Sequence, residues 1–137
     1  MTEKIKILII DDDTRLRELL KKYLENNNFL TYIVKNTSEA REKLKNTKYN
    51  LLIIDVMLPG ETGIDFLKEF RKSSNIPAII LSAMSDVEDR IYGLENGAND
   101  YITKPFEPKE LIIRIKNLLQ KWRIPYISLR KIYMLKK

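Results

Sequence analysis

Hydrophobic residues are distributed along this chain in two alternating patterns. Short runs at Lys4–Ile10, Leu30–Val34, Leu51–Ile54, Ile76–Leu81 and Asp100–Ile102 have the length and composition of β-strands. The first, third and fourth are almost wholly apolar, as expected of strands covered on both faces. Between the runs, apolar residues recur at helical spacing. Leu16, Leu19, Leu20, Tyr23 and Leu24 form one stripe, Ala40 and Leu44 a second, and Ile64, Leu67 and Phe70 a third. Val87, Ile91 and Leu94 mark a fourth helix, and Leu111, Ile115, Leu118 and Leu119 a fifth. Polar residues suited to helix N-caps precede them: Asp13 or Thr14, Thr37 or Ser38, and Ser85 or Asp86. The third helix is entered after Gly63, and Asn96-Gly97 closes the fourth. Five β-α units in strict alternation predict an α/β fold, a (βα)5 doubly wound five-stranded parallel sheet with right-handed crossovers. Pro125 interrupts whatever follows the fifth helix, so the domain is expected to span 1–121 and residues 122–137 to form a tail.

Composition narrows the chemistry. The 137 residues include neither cysteine nor histidine, which excludes disulfides and the usual nitrogen and sulfur metal ligands. A metal here must be held by oxygen, which favours a hard cation such as Mg²⁺. The opening Met1-Thr2-Glu3-Lys4 does not read as a signal peptide, and no apolar stretch approaches transmembrane length. A soluble, cytoplasmic protein with no membrane partner is expected. The net charge of +6 would suggest nucleic acid, but it equals the six basic residues of 121–137, where there is no acid. The body of the chain is neutral, and the excess belongs to the tail, which reads first as a solvated linker or terminus.

Several runs stop on polar residues. The first ends in Asp11-Asp12-Asp13, the third in Asp55, the fourth in Ser82-Ala83, and the fifth is followed by Lys104-Pro105. In an open parallel sheet these positions share the carboxyl edge, where such folds bind ligands. Each has an ordinary explanation on its own. Asp13 can simply cap a helix, Asp55 can be a turn residue, and Lys104-Pro105 can lead into a helix. Their joint occurrence at four strand ends is harder to explain that way. Clustered carboxylates repel unless a cation neutralises them, and Mg²⁺ would leave room for a phosphate oxygen. A lysine and a hydroxyl facing the same point would complete a phosphate pocket.

Ile10-Asp11-Asp12-Asp13, Asp55-Val56-Met57-Leu58-Pro59-Gly60, Leu81-Ser82-Ala83 and Gly97-Ala98-Asn99-Asp100-Tyr101-Ile102-Thr103-Lys104-Pro105-Phe106 together resemble the receiver domain of two-component response regulators. The resemblance covers residues 4–121 and implies a flavodoxin-like sheet with strand order 2-1-3-4-5. It implies that Asp55 is the phosphoacceptor, taking a phosphoryl group from a phosphohistidine of a sensor histidine kinase. Asp12, Asp55 and the backbone carbonyl of Met57 would ligate Mg²⁺, with Asp11 acting mainly through a water. Lys104 would pair with one phosphoryl oxygen and Ser82 would hydrogen-bond another. Tyr101 takes the aromatic switch position and would turn inward as Ser82 moves. The protein would be a switch with modest self-dephosphorylation rather than an enzyme.

The segments Asp86–Glu95 and Lys104–Leu111 resemble the OmpR/PhoB-type transcription regulators more narrowly. That likeness implies a homodimer formed on phosphorylation through helix 4, strand 5 and helix 5. Its intersubunit ion pairs would join Arg90 to Glu110, Asp100 to Arg114 and Glu95 to Lys116. Regulators of this type carry a winged-helix domain after the receiver, which the residues from Trp122 to Lys137 are too few to build. DNA binding is therefore not expected of this chain, while a transcriptional role in a longer form is. Three other readings have distinct signatures. A Mg²⁺-dependent aspartyl phosphatase would need an acid two residues after Asp55, where Met57 stands. A flavodoxin-like electron carrier would need a phosphate-cradling loop in place of three aspartates. A scaffold that has lost its site would not keep the acid, serine and lysine set.

Overall fold

The computed structural model describes residues 4–123. In chain order the elements are β1 (Ile5–Ile10), α1 (Thr14–Asn26), β2 (Phe29–Val34), α2 (Thr37–Asn46), β3 (Leu51–Ile54), α3 (Gly63–Phe70), β4 (Ala78–Ser82), α4 (Val87–Glu95), β5 (Asp100–Thr103) and α5 (Pro108–Arg123). All four strand pairings are parallel, and the order is β2-β1-β3-β4-β5. The expected α/β architecture is the one observed. Helix α5 continues two residues past the expected boundary at Lys121, and the rest of the tail expected at 122–137 lies outside the described residues.

The unbroken apolar runs have a simple cause. Side chains alternate across a strand, and both sheet faces are covered. Leu8, Ile10, Leu52, Ile54 and Ile80 enter one core with Ala40 of α2 and Ile64, Phe66 and Leu67 of α3. Ile7, Ile9, Leu51, Ile53, Ile79 and Leu81 enter the other with Leu20 and Leu24 of α1 and Leu111, Ile112 and Ile115 of α5. Each fully buried side chain of this size contributes about 1.5–3 kcal/mol of transfer free energy, so the three central strands form the rigid base of the molecule.

Differences from the sequence reading are local. Strand β4 begins at Ala78, not Ile76, and runs on to Ser82. Pro77 has no N–H for the ladder, although its carbonyl still accepts from Leu52 N at 2.9 Å. Helix α2 is capped by Asn36, one residue before the expected Thr37 or Ser38. Asn36 Oδ1 accepts from Glu39 N at 2.8 Å, and Glu39 Oε1 accepts in return from Lys35 N at 3.0 Å. Asp13 caps α1 through Leu16 N, and Asp86 precedes α4 without a side-chain cap. Helix α4 is present where expected, but its apolar face is uncovered. Its apolar residues Val87, Ile91 and Leu94 are exposed, together with Tyr92, while only Gly93 of this helix is buried. The periodicity correctly marked a helix, but its stripe does not enter the core.

Candidate functional site

Strand register brings the acids together. Ile10 pairs with Ile54, and the ladder continues one step beyond both strands, with Asp55 N donating to Ile10 O at 3.0 Å. Asp11 N donates to Val34 O at 3.1 Å on the other side. Asp11 and Asp55 thus leave adjacent central strands at the same height. Both are buried, at 2% and 6% exposure, whereas Asp12 is exposed at the rim. Ligand oxygens of Asp11, Asp12 and Asp55 lie within 4.8 Å of one another. Lys104 N donates to Ser82 O at 2.7 Å, which continues the β4–β5 pairing and carries the lysine to the same edge. Its Nζ stands 3.0 Å from Asp11 Oδ2 and 3.4 Å from Asp55 Oδ2. The Lys104-Pro105 peptide bond is cis.

The electrostatics follow from this crowding. Burial, and then the charge of Asp11, push the Asp55 carboxyl above its ordinary value, and Lys104 and the Met57 N–H only partly offset them. Burial pulls the Lys104 ammonium down, but its contacts with Asp11 and Asp55 outweigh that and hold it above the usual lysine value. Asp55 is therefore a carboxylate short of positive charge, beside a lysine firmly kept cationic. The donor set is all hard oxygen and includes one solvent-facing acid, which fits a small divalent cation. Three carboxylates against one lysine leave negative charge that such a cation would neutralise.

The loops fix these groups. Asp11 Oδ1 accepts from Asp13 N at 2.9 Å, and Arg17 Nη1 donates to the Asp11 carbonyl at 2.8 Å. Asp55 Oδ1 accepts from Met57 N at 3.2 Å, while the Met57 side chain is 62% exposed. Gly63, at the start of α3, allows the helix to rest directly on the Asp55 carbonyl oxygen, where any Cβ would overlap. Ser82 is fully buried, and its Oγ accepts from Met84 N at 3.1 Å. Tyr101 was expected to turn inward as Ser82 moves. It already lies inward here, 7% exposed, with its hydroxyl donating to Met84 O at 2.6 Å. Gly93 makes room for this ring, since a Cβ there would stand 3.0 Å from Tyr101 Cδ2.

The residues expected at a dimer interface are arranged differently from the edge site. Arg114 pairs within the chain, with Asp100 at 2.7 Å and Glu110 at 3.1 Å. Glu110, the expected partner of Arg90, is thus engaged by Arg114, and Arg90, Glu95 and Lys116 are exposed on α4 and α5. The sequence reading did not single out Arg17, or Arg41 and Glu61, which join α2 to the β3–α3 loop at 2.7 Å. An apolar groove of about 370 Å³ opens beside Lys104, lined in part by Leu16, Leu19, Tyr23, Phe106 and Pro108. Among the described residues no helix is long and apolar enough to cross a membrane.

Residues 7–116 match the model of the response regulator receiver domain. The chain belongs to this family, the receiver domains of two-component systems. It is 44% identical over 119 residues to Protein PetR of Rhodobacter capsulatus, an alignment covering 87% of this chain and 49% of that protein. To the transcriptional regulatory protein ResD of Bacillus subtilis it is 39% identical over 120 residues, covering 88% and 50%. Among solved structures, a Francisella response regulator 1452 receiver domain superposes with a TM-score of 0.83 at 39% identity, covering 86% of this chain and 98% of that one. The chain spans about half the length of the curated relatives it matches, and several of those are named transcriptional or DNA-binding regulators.

Proposed function

We propose that Asp55 accepts a phosphoryl group from a phosphohistidine on a sensor histidine kinase in the cytoplasm, and that the aspartyl phosphate switches the α4–β5–α5 face. The observation that carries this reading is the gathering of the Asp55 carboxylate with those of Asp11 and Asp12, and with the Lys104 ammonium 3.4 Å away. One Asp55 oxygen attacks phosphorus in line with the imidazole nitrogen. The new O–P bond forms as the P–N bond breaks, and the nitrogen keeps the electron pair. Asp12, Asp55 and the Met57 carbonyl would hold Mg²⁺, with Asp11 reaching it mainly through a water. The cation would draw charge from the transferring oxygens. Lys104 leaves its contact with Asp55 to clamp one phosphoryl oxygen, and Ser82, whose Oγ accepts from Met84 N, donates its hydroxyl hydrogen to another. Because Met84 O holds the Tyr101 hydroxyl and Ser82 bears on that hydroxyl directly, a shift at Ser82 reaches the switch ring. Met57 supplies no acid–base group two residues after Asp55, which supports a switch with modest self-dephosphorylation rather than a turnover phosphatase. The groove between α1 and the β5–α5 loop, lined by the exposed Leu19 and reaching Lys104, offers an apolar seat for the kinase.

The output is read as OmpR/PhoB-type dimerisation, with control of transcription in a longer form. Exposed Val87, Ile91, Tyr92, Leu94 and Ile113 form apolar surface on α4 and α5, flanked by Arg90, Glu95, Asp100, Glu110, Arg114 and Lys116. An Asp100–Arg114 bond between subunits would have to replace the one already made within each chain. The net gain would then come from covered apolar area and from charge register rather than from new ion pairs. Addition of beryllofluoride and Mg²⁺ should convert monomer to dimer in sedimentation experiments, and Ile91→Glu should prevent it. A wild-type protein that stays monomeric would remove the dimer from this reading.

A further inference from the structure

We propose that Arg41 is a positioning residue for the metal side of the site: by clamping Glu61 it fixes the β3–α3 loop that carries Met57, and so sets the affinity for Mg²⁺. This rests on the proposed roles of Asp55 and Met57. The loop is anchored at both ends by backbone, with Asp55 N on Ile10 O and Gly63 N on Val56 O, each at 3.0 Å. Between those anchors Leu58 is buried, whereas Pro59 and Gly60 are exposed, and Gly60 has φ of 81°. Glu61 is where this stretch is tied across to another element. Arg41 Nη1 and Nη2 donate to its two carboxylate oxygens at 2.7 and 2.9 Å, a two-pronged bond that defines direction as well as distance.

The clamp is itself held. The Arg41 guanidinium carbon stands 4.9 Å over the ring of Phe66, a fully buried residue of α3. Arg41 therefore joins three elements, α2, the loop and α3, at the base of the segment bearing the Met57 carbonyl. The hydrogen bond to Glu61 raises the Arg41 guanidinium, and the same bond, with a lesser one from Thr37 of α2, lowers the Glu61 carboxyl, so both remain charged across the working range. An exposed ion pair usually matters little to global stability. A metal carbonyl ligand is more demanding, because small displacements of a ligating atom weaken coordination directly. Groups that orient ligands commonly change metal affinity by about 10–100-fold when removed, and this clamp acts one step further out.

The test is a Mg²⁺ titration of the metal-free protein followed by ¹H–¹⁵N NMR, with no phosphodonor present, alongside thermal unfolding of each variant. Arg41→Ala and Glu61→Gln should each weaken Mg²⁺ binding about three- to tenfold while the unfolding midpoint stays close to wild type. The exchange Arg41→Glu with Glu61→Arg should recover part of the loss. Arg41→Lys keeps the charge but not the fork and should fall between. Wild-type affinity in both single variants overturns the clamp while leaving the phosphoacceptor reading intact. A wild-type protein that shows no Mg²⁺-dependent shifts near Asp55 overturns the metal reading and the clamp with it.

Discussion

Asp55→Asn should abolish phosphoryl acceptance and, in the metal-free protein at neutral pH, raise the unfolding midpoint. The first effect follows from losing the nucleophilic oxygen. The second follows from the electrostatics of the wild-type site. Burial and the Asp11 charge raise the Asp55 carboxyl in the folded state, so the folded protein prefers the proton more than the unfolded chain does. The stabilisation from that raised value is fully present below the unfolded carboxyl range and is lost as pH rises through the folded one. At neutral pH the ionised Asp55 therefore costs stability, which asparagine does not carry. The variant should therefore melt above the wild type in metal-free buffer at neutral pH, by a margin that shrinks as the pH falls. Thermal melts across pH should show the two proteins converging toward acid. Mg²⁺ should stabilise the wild type and leave the variant nearly unchanged. A variant less stable than wild type at neutral pH would contradict the charge imbalance assigned to the site.

Gly63→Ala should be the most damaging single-methyl change near the site. Its Cβ would overlap the Asp55 carbonyl oxygen and stand 2.7 Å from Ile54 Cγ2 and 2.9 Å from the Asp55 carbonyl carbon. Two of these three neighbours are backbone and cannot turn aside as a flexible side chain would. Relief requires moving α3 away from β3, which also unseats the Asp55 carboxylate. Overpacking of this kind costs about 1–3 kcal/mol, and the upper end is expected here, with a fall in melting temperature of about 10 °C and slower phosphoryl acceptance. Gly60→Ala is the matched control. It sits at φ of 81° with no atom within 4 Å of its added Cβ, so it carries only the left-handed backbone penalty of about 1–2 kcal/mol. Equal losses in the two variants, with phosphoryl acceptance intact in both, would mean that α3 does not bear on Asp55 as described.

Much of this was legible in the chain before any coordinates. A strand covered on both faces must be apolar throughout, so the runs Lys4–Ile10, Leu51–Ile54 and Ile76–Leu81 stood out as almost wholly apolar, and the acid or hydroxyl that ended each marked the sheet edge. Parallel pairing then aligned those ends, which is why Asp11 and Asp55 could be grouped with Lys104 although they lie 93 and 49 residues from it. Local competition was harder to resolve. Asn36, Thr37 and Ser38 all suit a helix cap, and the outcome depended on Glu39 reaching back to Lys35. The stripe of Val87, Ile91 and Leu94 correctly marked α4, but helical periodicity reports an apolar face, not what covers it. Contacts such as Arg41 with Glu61, or Arg71 with Gly97 O at 2.9 Å, join residues 20 and 26 apart through tertiary packing and left no pattern to read.

The central claim is that Asp55 is the residue phosphorylated. Incubation with acetyl phosphate and Mg²⁺, followed by mass spectrometric mapping of the phosphoryl group, tests it most directly. The group should be found on Asp55 in the wild-type protein, depend on Mg²⁺, and be absent from Asp55→Asn. Label on another residue of the wild type, or equal labelling of Asp55→Asn, would contradict the account.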